Sequence, residues 1–198
     1  MVNPAHTAPG RIRIIAGRWL GRRLPVIASE MLRPTPDRVR ETLFNWIGPA
    51  VRGTRCLDLF AGTGILGLEA LSRGAAQVVW IEADIRLVRA LRQIQATLQA
   101  GGEVVCGDVT DWLTGFDPAR SAPFDLVFLD PPFRRGLLEQ VVQQLEQRAL
   151  LSPQALIYLE HEREHQPALP PNWLPLRATH AGQVTAQLLR RQPVAQSD

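Results

Sequence analysis

Hydrophobic positions along the chain switch repeatedly between two spacings after Thr54. Short apolar, β-prone runs predict strands at residues 55–60, 77–82, 104–107, 125–130 and 155–160. Between them, apolar residues at helical spacing predict helices over 65–73, 84–99 and 137–150, and a short turn is expected around Trp112 and Leu113. Alternating strands and helices predict a mostly parallel sheet with helices on both faces and ligands at the carboxyl ends of the strands.

The N-terminal part of the chain follows another pattern. Residues 1–10 are small and polar and are expected to form a disordered tail. Residues 11–26, RIRIIAGRWLGRRLPV, predict two short strands joined by a tight turn, with Ile12, Ile14 and Leu20 on one face. A helix follows, capped by Thr35.

The C-terminal part is expected to close the fold with an antiparallel hairpin, formed by residues 176–180 and 183–191. The chain is therefore expected to divide into a tail at 1–10, an extension at 11–50 and a main domain at 51–198.

Composition narrows the class of protein. The chain has 198 residues, of which 45% are hydrophobic, so it can bury the core of one domain. Its apolar runs fall short of the roughly 20 residues of a membrane helix, and the first ten residues lack the layout of a signal peptide. Cys56 and Cys106 lie in apolar runs, which predicts reduced core thiols in a cytosolic protein and no metal site.

Positive charge is concentrated at the N-terminus. Residues 1–55 hold ten arginines and three acids, or +7, whereas the rest of the chain is −4, giving the net +3. This asymmetry suggests a nucleic-acid partner, although a solvated basic arm would have the same composition. Trp19 is expected either to lie exposed among the arginines, where it could stack on a base, or to pack the small hairpin.

A glycine-rich turn at residues 54–67, TRCLDLFAGTGILG, joins a predicted strand to a predicted helix. Gly62, Gly64 and Gly67 spell GxGxxG, and Glu82 lies 20 residues beyond Gly62, where a carboxylate can take ribose hydroxyls. Backbone N–H groups and a helix N-terminus meet at such a turn, which suits a ligand that contains adenosine. The motif alone does not separate a nicotinamide cofactor from a sulfonium cofactor, and a ligand-free tight turn is the other interpretation.

A second motif, LDPPF, ends the predicted strand at 125–130. Its two prolines fix the backbone and remove two N–H donors, so that carbonyl acceptors lie beside the Asp130 carboxylate. Phe133 adds a flat apolar surface. Acceptors next to an aromatic ring favour a planar base with an exocyclic NH₂ group, the alternative being a rigid turn.

Asp130-Pro131-Pro132-Phe133 resembles the [D/N]-P-P-[F/Y/W] motif of S-adenosylmethionine-dependent methyltransferases that act on amino groups of bases. Together with RIIAGRWLGRRLP, RPTPDRVRETLFNW, DLFAGTGILGLEALSRGA, DPPFRRGLLE and AGQV, the chain resembles the bacterial RsmD family over residues 11–191. These proteins are 16S ribosomal RNA guanine-N2 methyltransferases. The resemblance implies an α/β, class I methyltransferase fold: a Rossmann-like, seven-stranded, mostly parallel sheet with an antiparallel C-terminal hairpin and a small N-terminal β-hairpin plus helix extension.

The resemblance also implies roles for residues. The methionine end of S-adenosylmethionine would be held by Asp58, Phe60, Gly62 and Gly64, the ribose by Glu82, and the adenine by Asp108 and Val109. Asp130 and the Pro131 carbonyl would accept hydrogen bonds from the guanine N2 amine while Phe133 stacks on the base. Contacts to RNA are expected from Arg11, Arg13, Arg18, Trp19, Arg22, Arg23, Arg134 and Arg135.

The resemblance further implies a cytoplasmic protein, expected to be a monomer without a membrane partner, that acts on 16S ribosomal RNA or the assembling 30S subunit. In two places the chain departs from the pattern. Phe60 stands where many methyltransferases have glycine, and the last strand lacks the tyrosines of the family, leaving Tyr158 as the only tyrosine.

Three alternatives remain open. DPPF also serves methylation of adenine N6 or cytosine N4 in DNA, GxGxxG with Glu82 fits an NAD-dependent oxidoreductase, and the basic N-terminus fits a nucleic-acid-binding module without catalysis. The zinc-protease string HExxH occurs at residues 161–165. That chemistry requires both histidines on one helix face, and this string follows a predicted strand and runs into prolines, so no metal is expected.

Overall fold

The computed structural model describes residues 10–26, 35–132 and 136–193. The strands are β1 (Arg11–Arg13), β2 (Arg23–Pro25), β3 (Arg55–Leu59), β4 (Gln77–Glu82), β5 (Glu103–Cys106), β6 (Phe124–Leu129), β7 (Leu151–Glu162), β8 (Trp173–Ala181) and β9 (Val184–Arg191). The α-helices are α1 (Asp37–Ile47), α2 (Ile65–Ser72), α3 (Ile85–Leu98), α4 (Val109–Gly115) and α5 (Leu137–Gln147). Short 3₁₀ turns cover Gly17–Trp19, Gly48–Val51 and Pro118–Arg120.

Seven strands form one sheet in the order β5-β4-β3-β6-β7-β9-β8. Strands β3 to β7 pair in parallel, and β9 pairs antiparallel with both β7 and β8. The predicted fold class is confirmed, including the antiparallel closing hairpin. The strand order reverses between β3 and β6, which makes the carboxyl ends of these two strands the expected ligand site.

The two faces of the sheet bury separate cores because side chains alternate along each strand. Cys56, Phe128 and Tyr158 point to the face covered by α1, α2, α3 and the N-terminal hairpin. Leu57 and Val127 point to the opposite face, which is covered by α4 and α5.

Two elements differ from the prediction. A helix, α4, replaces the turn expected at Trp112 because the Asp108 carboxylate caps it, accepting the Thr110 N–H at 2.7 Å and the Asp111 N–H at 3.2 Å. Strand β7 begins at Leu151 and ends at Glu162, so it extends beyond the predicted 155–160 at both ends.

The N-terminal hairpin forms as predicted, with Ile12 opposite Leu24, but its apolar face differs. Ile12 and Ile14 are buried, whereas Leu20 is 68% exposed. The expectation for Leu20 was wrong because the 3₁₀ turn at Gly17–Trp19 interrupts the alternation of inward and outward side chains. Trp19 therefore points inward in place of Leu20.

The hairpin is attached to α2 by hydrogen bonds rather than by apolar contacts alone. The Trp19 N–H donates to Ser72 Oγ at 3.0 Å, and that hydroxyl donates to the Ala16 carbonyl at 2.6 Å. A Cβ on Gly17 would lie 1.9 Å from the Ser72 carbonyl oxygen, so only glycine permits this close approach.

A buried ionic cluster completes the attachment. The Glu69 carboxylate on α2 accepts the N–H groups of Ile15 at 2.9 Å and Ala16 at 3.0 Å. Arg40 on α1 is fully buried, donates to the Arg13 carbonyl at 3.0 Å and lies 3.8 Å from Glu69. Burial lowers the pKa of Arg40 despite these acidic neighbours.

The predicted cap of α1 is not formed. The helix begins at Asp37 without a side-chain cap, and the Thr35 carbonyl instead accepts a hydrogen bond from Arg40 Nε at 3.2 Å. Within the described ranges, every helix is too short or too polar to cross a membrane. Of the tail expected at residues 1–10, residues 1–9 lie outside those ranges.

Candidate active site at the switch point of the sheet

The glycine turn lies at the carboxyl end of β3, as predicted. Phe60, Gly62 and Gly64 all have positive φ, at 62°, 55° and 70° respectively. Phe60 is half-buried and packs against the core under α4 and α5. Its positive φ is a backbone conformation that usually requires glycine. Such strain is typical of backbone held in place around a ligand.

Asp58 projects from β3 beneath this turn. It is 3% exposed, and its Oδ2 accepts the Gly67 N–H at 3.0 Å. Burial raises the pKa of Asp58 to about 8, although the Gly67 hydrogen bond acts to lower it, and the nearby charge of Glu82 adds to the rise. A cationic ligand group beside Asp58 would restore its charge.

Glu82 ends β4, the neighbour of β3. Its Oε2 accepts the Gly62 N–H at 2.7 Å and its Oε1 accepts the Asp84 N–H at 2.8 Å. The two bonds fix the carboxylate against the glycine turn, and each oxygen retains a lone pair for a ligand hydroxyl.

Asp108 and Val109 follow β5, one strand further out. Asp108 is exposed, and its Oδ1 accepts hydrogen bonds from the Thr110 hydroxyl and backbone, which lower the pKa of Asp108. Val109 is buried in the core under α4. The structure places both residues at the ligand edge of the sheet and leaves their contact with adenine a prediction.

The second predicted motif follows β6, directly beside the glycine turn. Asp130 is half-buried and Pro131 is buried. Burial raises the pKa of Asp130 well above its usual value, and the charges of Glu160 and Asp58 raise it further. Phe133, Arg134 and Arg135, predicted to stack on the base or contact RNA, lie outside the described residues.

Glu160 and Tyr158 belong to this site and were missed by the sequence reasoning. Glu160 is 8% exposed on β7, and the Tyr158 hydroxyl donates to its Oε1 at 2.5 Å. Burial raises the pKa of both side chains. The signal available in the sequence was a glutamate at the end of an apolar strand, ALIYLE, two residues after the only tyrosine.

A cleft of about 890 Å³ opens beside these residues. Its walls include Pro131, Pro132, Leu137, Glu160, His161 and Gln183. The cleft therefore lies between the loop after β6, the end of β7 and the turn of the β8–β9 hairpin.

The HExxH string borders the cleft but is not helical. His161 and Glu162 end β7, and the next two residues form a turn. His165 Nε2 lies 2.7 Å from Glu139 Oε1 on α5, so the two histidines do not share a helix face.

The predicted basic rim is exposed at all five arginines: Arg11, Arg13, Arg18, Arg22 and Arg23. Trp19 is only 8% exposed because it packs beneath the hairpin, so it does not lie exposed for base stacking. Cys56 is buried as predicted, whereas Cys106 is exposed because it ends β5 at the edge of the sheet.

Comparisons with known proteins agree with this geometry. The family model described as conserved hypothetical protein 95 matches residues 12–190. Ribosomal RNA small subunit methyltransferase D of Escherichia coli K12 is 48% identical over 199 residues, covering 100% of this chain and 99% of that protein. The protein of the same name from Haemophilus influenzae is 45% identical, covering 91% of this chain and 94% of its own length.

Solved structures of other proteins also superpose on this chain. The Escherichia coli protein yhhF superposes with a TM-score of 0.84 at 48% identity, covering 93% of this chain and 100% of that one. A solved complex with SAH is 16% identical with a TM-score of 0.61, covering 85% of this chain and 53% of that one, and at this identity it shows the fold alone.

Proposed function

Because the chain belongs to the RsmD family, the family described as conserved hypothetical protein 95, we propose that it methylates RNA of the small ribosomal subunit. Family membership makes the chain a methyltransferase and excludes the oxidoreductase alternative. The acceptor is the N2 amine of a guanine in 16S ribosomal RNA, reached in the cytoplasm during assembly of the 30S subunit. The protein acts as a monomer.

The described residues fit S-adenosylmethionine. Asp58 is a buried carboxyl group whose pKa is raised mainly by burial, and the ammonium of the methionine end would supply a cationic partner that stabilises its ionised form. Glu82 is held by two backbone N–H groups in position to accept ribose hydroxyls. When bound, the cofactor supplies an electrophilic methyl group on a positively charged sulfur.

The observation that carries the proposal is the pairing of β3 with β6, which puts Asp130 beside the glycine turn. There the Asp130 carboxylate and the Pro131 carbonyl accept the two hydrogens of the N2 amine. This contact draws the nitrogen towards a tetrahedral shape and directs its lone pair at the methyl carbon. Orientation of this kind contributes up to about 7–11 kcal/mol in favourable cases.

The reaction forms a carbon–nitrogen bond, breaks a carbon–sulfur bond and releases one proton from the amine nitrogen. Asp130 takes this proton or passes it to water. Its raised pKa suits a proton acceptor, because a carboxyl group that holds a proton more tightly is a stronger base.

Substitution of Asp130 tests the assignment. In methylation of 30S particles from a strain that lacks this protein, Asp130→Asn should reduce the rate at least ~100-fold while SAH binding, measured by titration calorimetry, stays intact. Glu103→Gln, an exposed change at the amino end of β5, is the matched control and should leave the rate unchanged. An Asp130→Asn enzyme of wild-type rate would remove Asp130 from the mechanism.

Analysis of the methylated nucleosides tests the substrate. N2-methylguanosine is the expected product. N6-methyladenosine or N4-methylcytidine would instead favour the activity that DPPF serves in DNA methyltransferases.

A further inference from the structure

Three carboxyl groups lie at the ends of three neighbouring strands: Asp58 on β3, Asp130 after β6 and Glu160 on β7. Leu129 of β6 pairs with Leu159 of β7, so Asp130 and Glu160 take the next positions on two strands about 4.8 Å apart. The charges of both Glu160 and Asp58 raise the pKa of Asp130. Glu160 therefore lies beside the residue that holds the amine in the proposed reaction.

Glu160 is held in a fixed orientation. Its Oε1 accepts the Tyr158 hydroxyl, and the Tyr158 ring is itself buried with its edge against Phe128, 6.5 Å between ring centroids. Oε2 has no hydrogen-bond partner among the residues that the structure describes. Since Glu160 lines the cleft with Pro131 and Pro132, this second oxygen is available to a ligand there.

The acceptor groups around the cleft distinguish the bases. On its Watson–Crick edge, guanine presents the N1–H beside the N2 amine, so two neighbouring positions are donors. Adenine and cytosine present a ring nitrogen with a lone pair beside their amines. A second acceptor next to Asp130 is therefore satisfied by guanine and repelled by the other two amino-bearing bases.

We propose that Glu160, oriented by Tyr158, accepts the N1–H of the target base and thereby selects guanine for methylation. The assignment rests on the proposed function, because it takes Asp130 and Pro131 to hold the amine. Two donors on one carboxylate, the Tyr158 hydroxyl and the base N1–H, stabilise the ionised form of Glu160 against its burial. Discrimination of roughly 10- to 100-fold is expected from a polar contact of this kind.

A base with the amine but without the N1–H tests the proposal. 2-Aminopurine retains the 2-amine and carries a lone pair at N1. Once the target nucleotide has been mapped with the wild-type enzyme, small subunits can be reconstituted with guanine or 2-aminopurine at that position. The wild-type enzyme should methylate guanine at least ~10-fold faster than 2-aminopurine.

Variants of Glu160 should change this ratio. Glu160→Gln presents an amide that can donate to the N1 lone pair, so the preference for guanine should fall towards unity. Tyr158→Phe keeps the ring packing but removes the donor that orients Glu160, and it should lower the preference by a smaller factor. Glu164→Gln, at the exposed rim of the same cleft, removes an equal charge and should retain the wild-type preference.

The outcomes separate two failures. If Glu160→Gln and Tyr158→Phe bind SAH normally and keep the wild-type preference for guanine, Glu160 has only a structural role and the proposal is overturned. If the wild-type enzyme makes no N2-methylguanosine in the small subunit, the proposed function itself fails.

Discussion

Asp58 connects burial at a single residue to cofactor binding. Its pKa of about 8 means that the unliganded site holds a proton at neutral pH, mainly because the carboxyl group is buried. The same shift costs the unliganded protein stability as the pH rises from the unfolded value of 3.8 to about 8, since the unfolded chain releases a proton that the folded chain keeps. A ligand ammonium beside Asp58 should reverse the shift and expel that proton.

SAH should therefore bind more tightly as the pH rises from 6 to 8, by roughly 50-fold for a pKa of about 8, and the affinity should level off above about pH 9. Calorimetric titrations in two buffers of different ionisation enthalpy would report the released proton directly. Asp58→Asn can still accept the Gly67 N–H, and it should bind SAH more weakly without pH dependence. Binding by the wild-type protein with no proton release would contradict contact between Asp58 and the ammonium.

Gly67 shows how far one residue can be predicted. The GxGxxG motif includes this glycine, but the reason that glycine is needed at this position lies outside the motif. A Cβ on residue 67 would be 2.2 Å from Nε1 of Trp80 on β4. Trp80 is fully buried, and its Nε1 donates to the Gly64 carbonyl at 3.2 Å. A contact between residues 13 positions apart cannot be read from local pattern, because it depends on how α2 crosses the sheet.

At the scale of elements, the N-terminal hairpin depends on α2. Glu69 is buried and receives two hairpin N–H groups together with Arg73 Nε at 2.8 Å. Removing its charge leaves the fully buried Arg40 with Asp37 as its remaining acidic partner. Loss of one member of a buried ion pair typically costs 3–5 kcal/mol.

Glu69→Gln should lower the free energy of unfolding by about 3 kcal/mol in urea and release the hairpin. Trypsin should then cut the native protein near Arg22 and Arg23 much faster than it cuts the wild type. Glu41→Gln, an exposed change on α1, should alter neither measurement. Wild-type resistance to trypsin in Glu69→Gln would mean that apolar packing of Trp19 and Ile14 holds the hairpin without Glu69.

The order of the elements was predictable because strands and helices bury apolar residues with different periods. The same rule failed where a side chain changed the local geometry. Capping by Asp108 made a helix of the turn expected at Trp112, and the 3₁₀ turn at Gly17–Trp19 exchanged the places of Leu20 and Trp19. In the candidate site, Glu82 and Asp130 end predicted strands and were named from their motifs, and Asp58 was named from the family resemblance. Glu160 has no motif and depends on the pairing of β6 with β7.

At the scale of the whole molecule, charge is divided according to what each part would contact. Beside Pro131 and Pro132, the carboxylates of Asp130 and Glu160 offer hydrogen-bond acceptors, which suit the donor groups of a base and not a phosphate. The N-terminal hairpin carries five exposed arginines. This division suggests that the hairpin holds the RNA backbone while the cleft receives one base.

Arg13 and Arg23 face each other directly across the hairpin, a like-charge pair that destabilises the isolated protein. Together with Arg11 and Asp37 they line a surface hollow of about 300 Å³, and Asp37 lies 3.6 Å from Arg13. A phosphate in the hollow would neutralise the pair. Each arginine that releases a counterion on binding should add about one to the slope of log affinity against log salt concentration.

Arg13→Gln and Arg23→Gln should each reduce that slope for binding to small-subunit RNA by about one, and the double variant by about two, with SAH affinity unchanged. Arg120→Gln, in the 3₁₀ turn before β6 at the opposite edge of the sheet from the site, removes the same charge and should leave the slope as it is. Filter binding or fluorescence anisotropy between 50 and 200 mM salt would measure the slopes, a range over which several phosphate contacts change affinity by orders of magnitude.

Equal slopes for the double variant and the wild type would place the RNA backbone elsewhere and leave the repulsion between Arg13 and Arg23 without a function. A slope that falls in the Arg13 and Arg23 variants and not in Arg120→Gln would make the hairpin the phosphate-binding part of the molecule. Loss of general positive charge would have lowered the slope of Arg120→Gln as well.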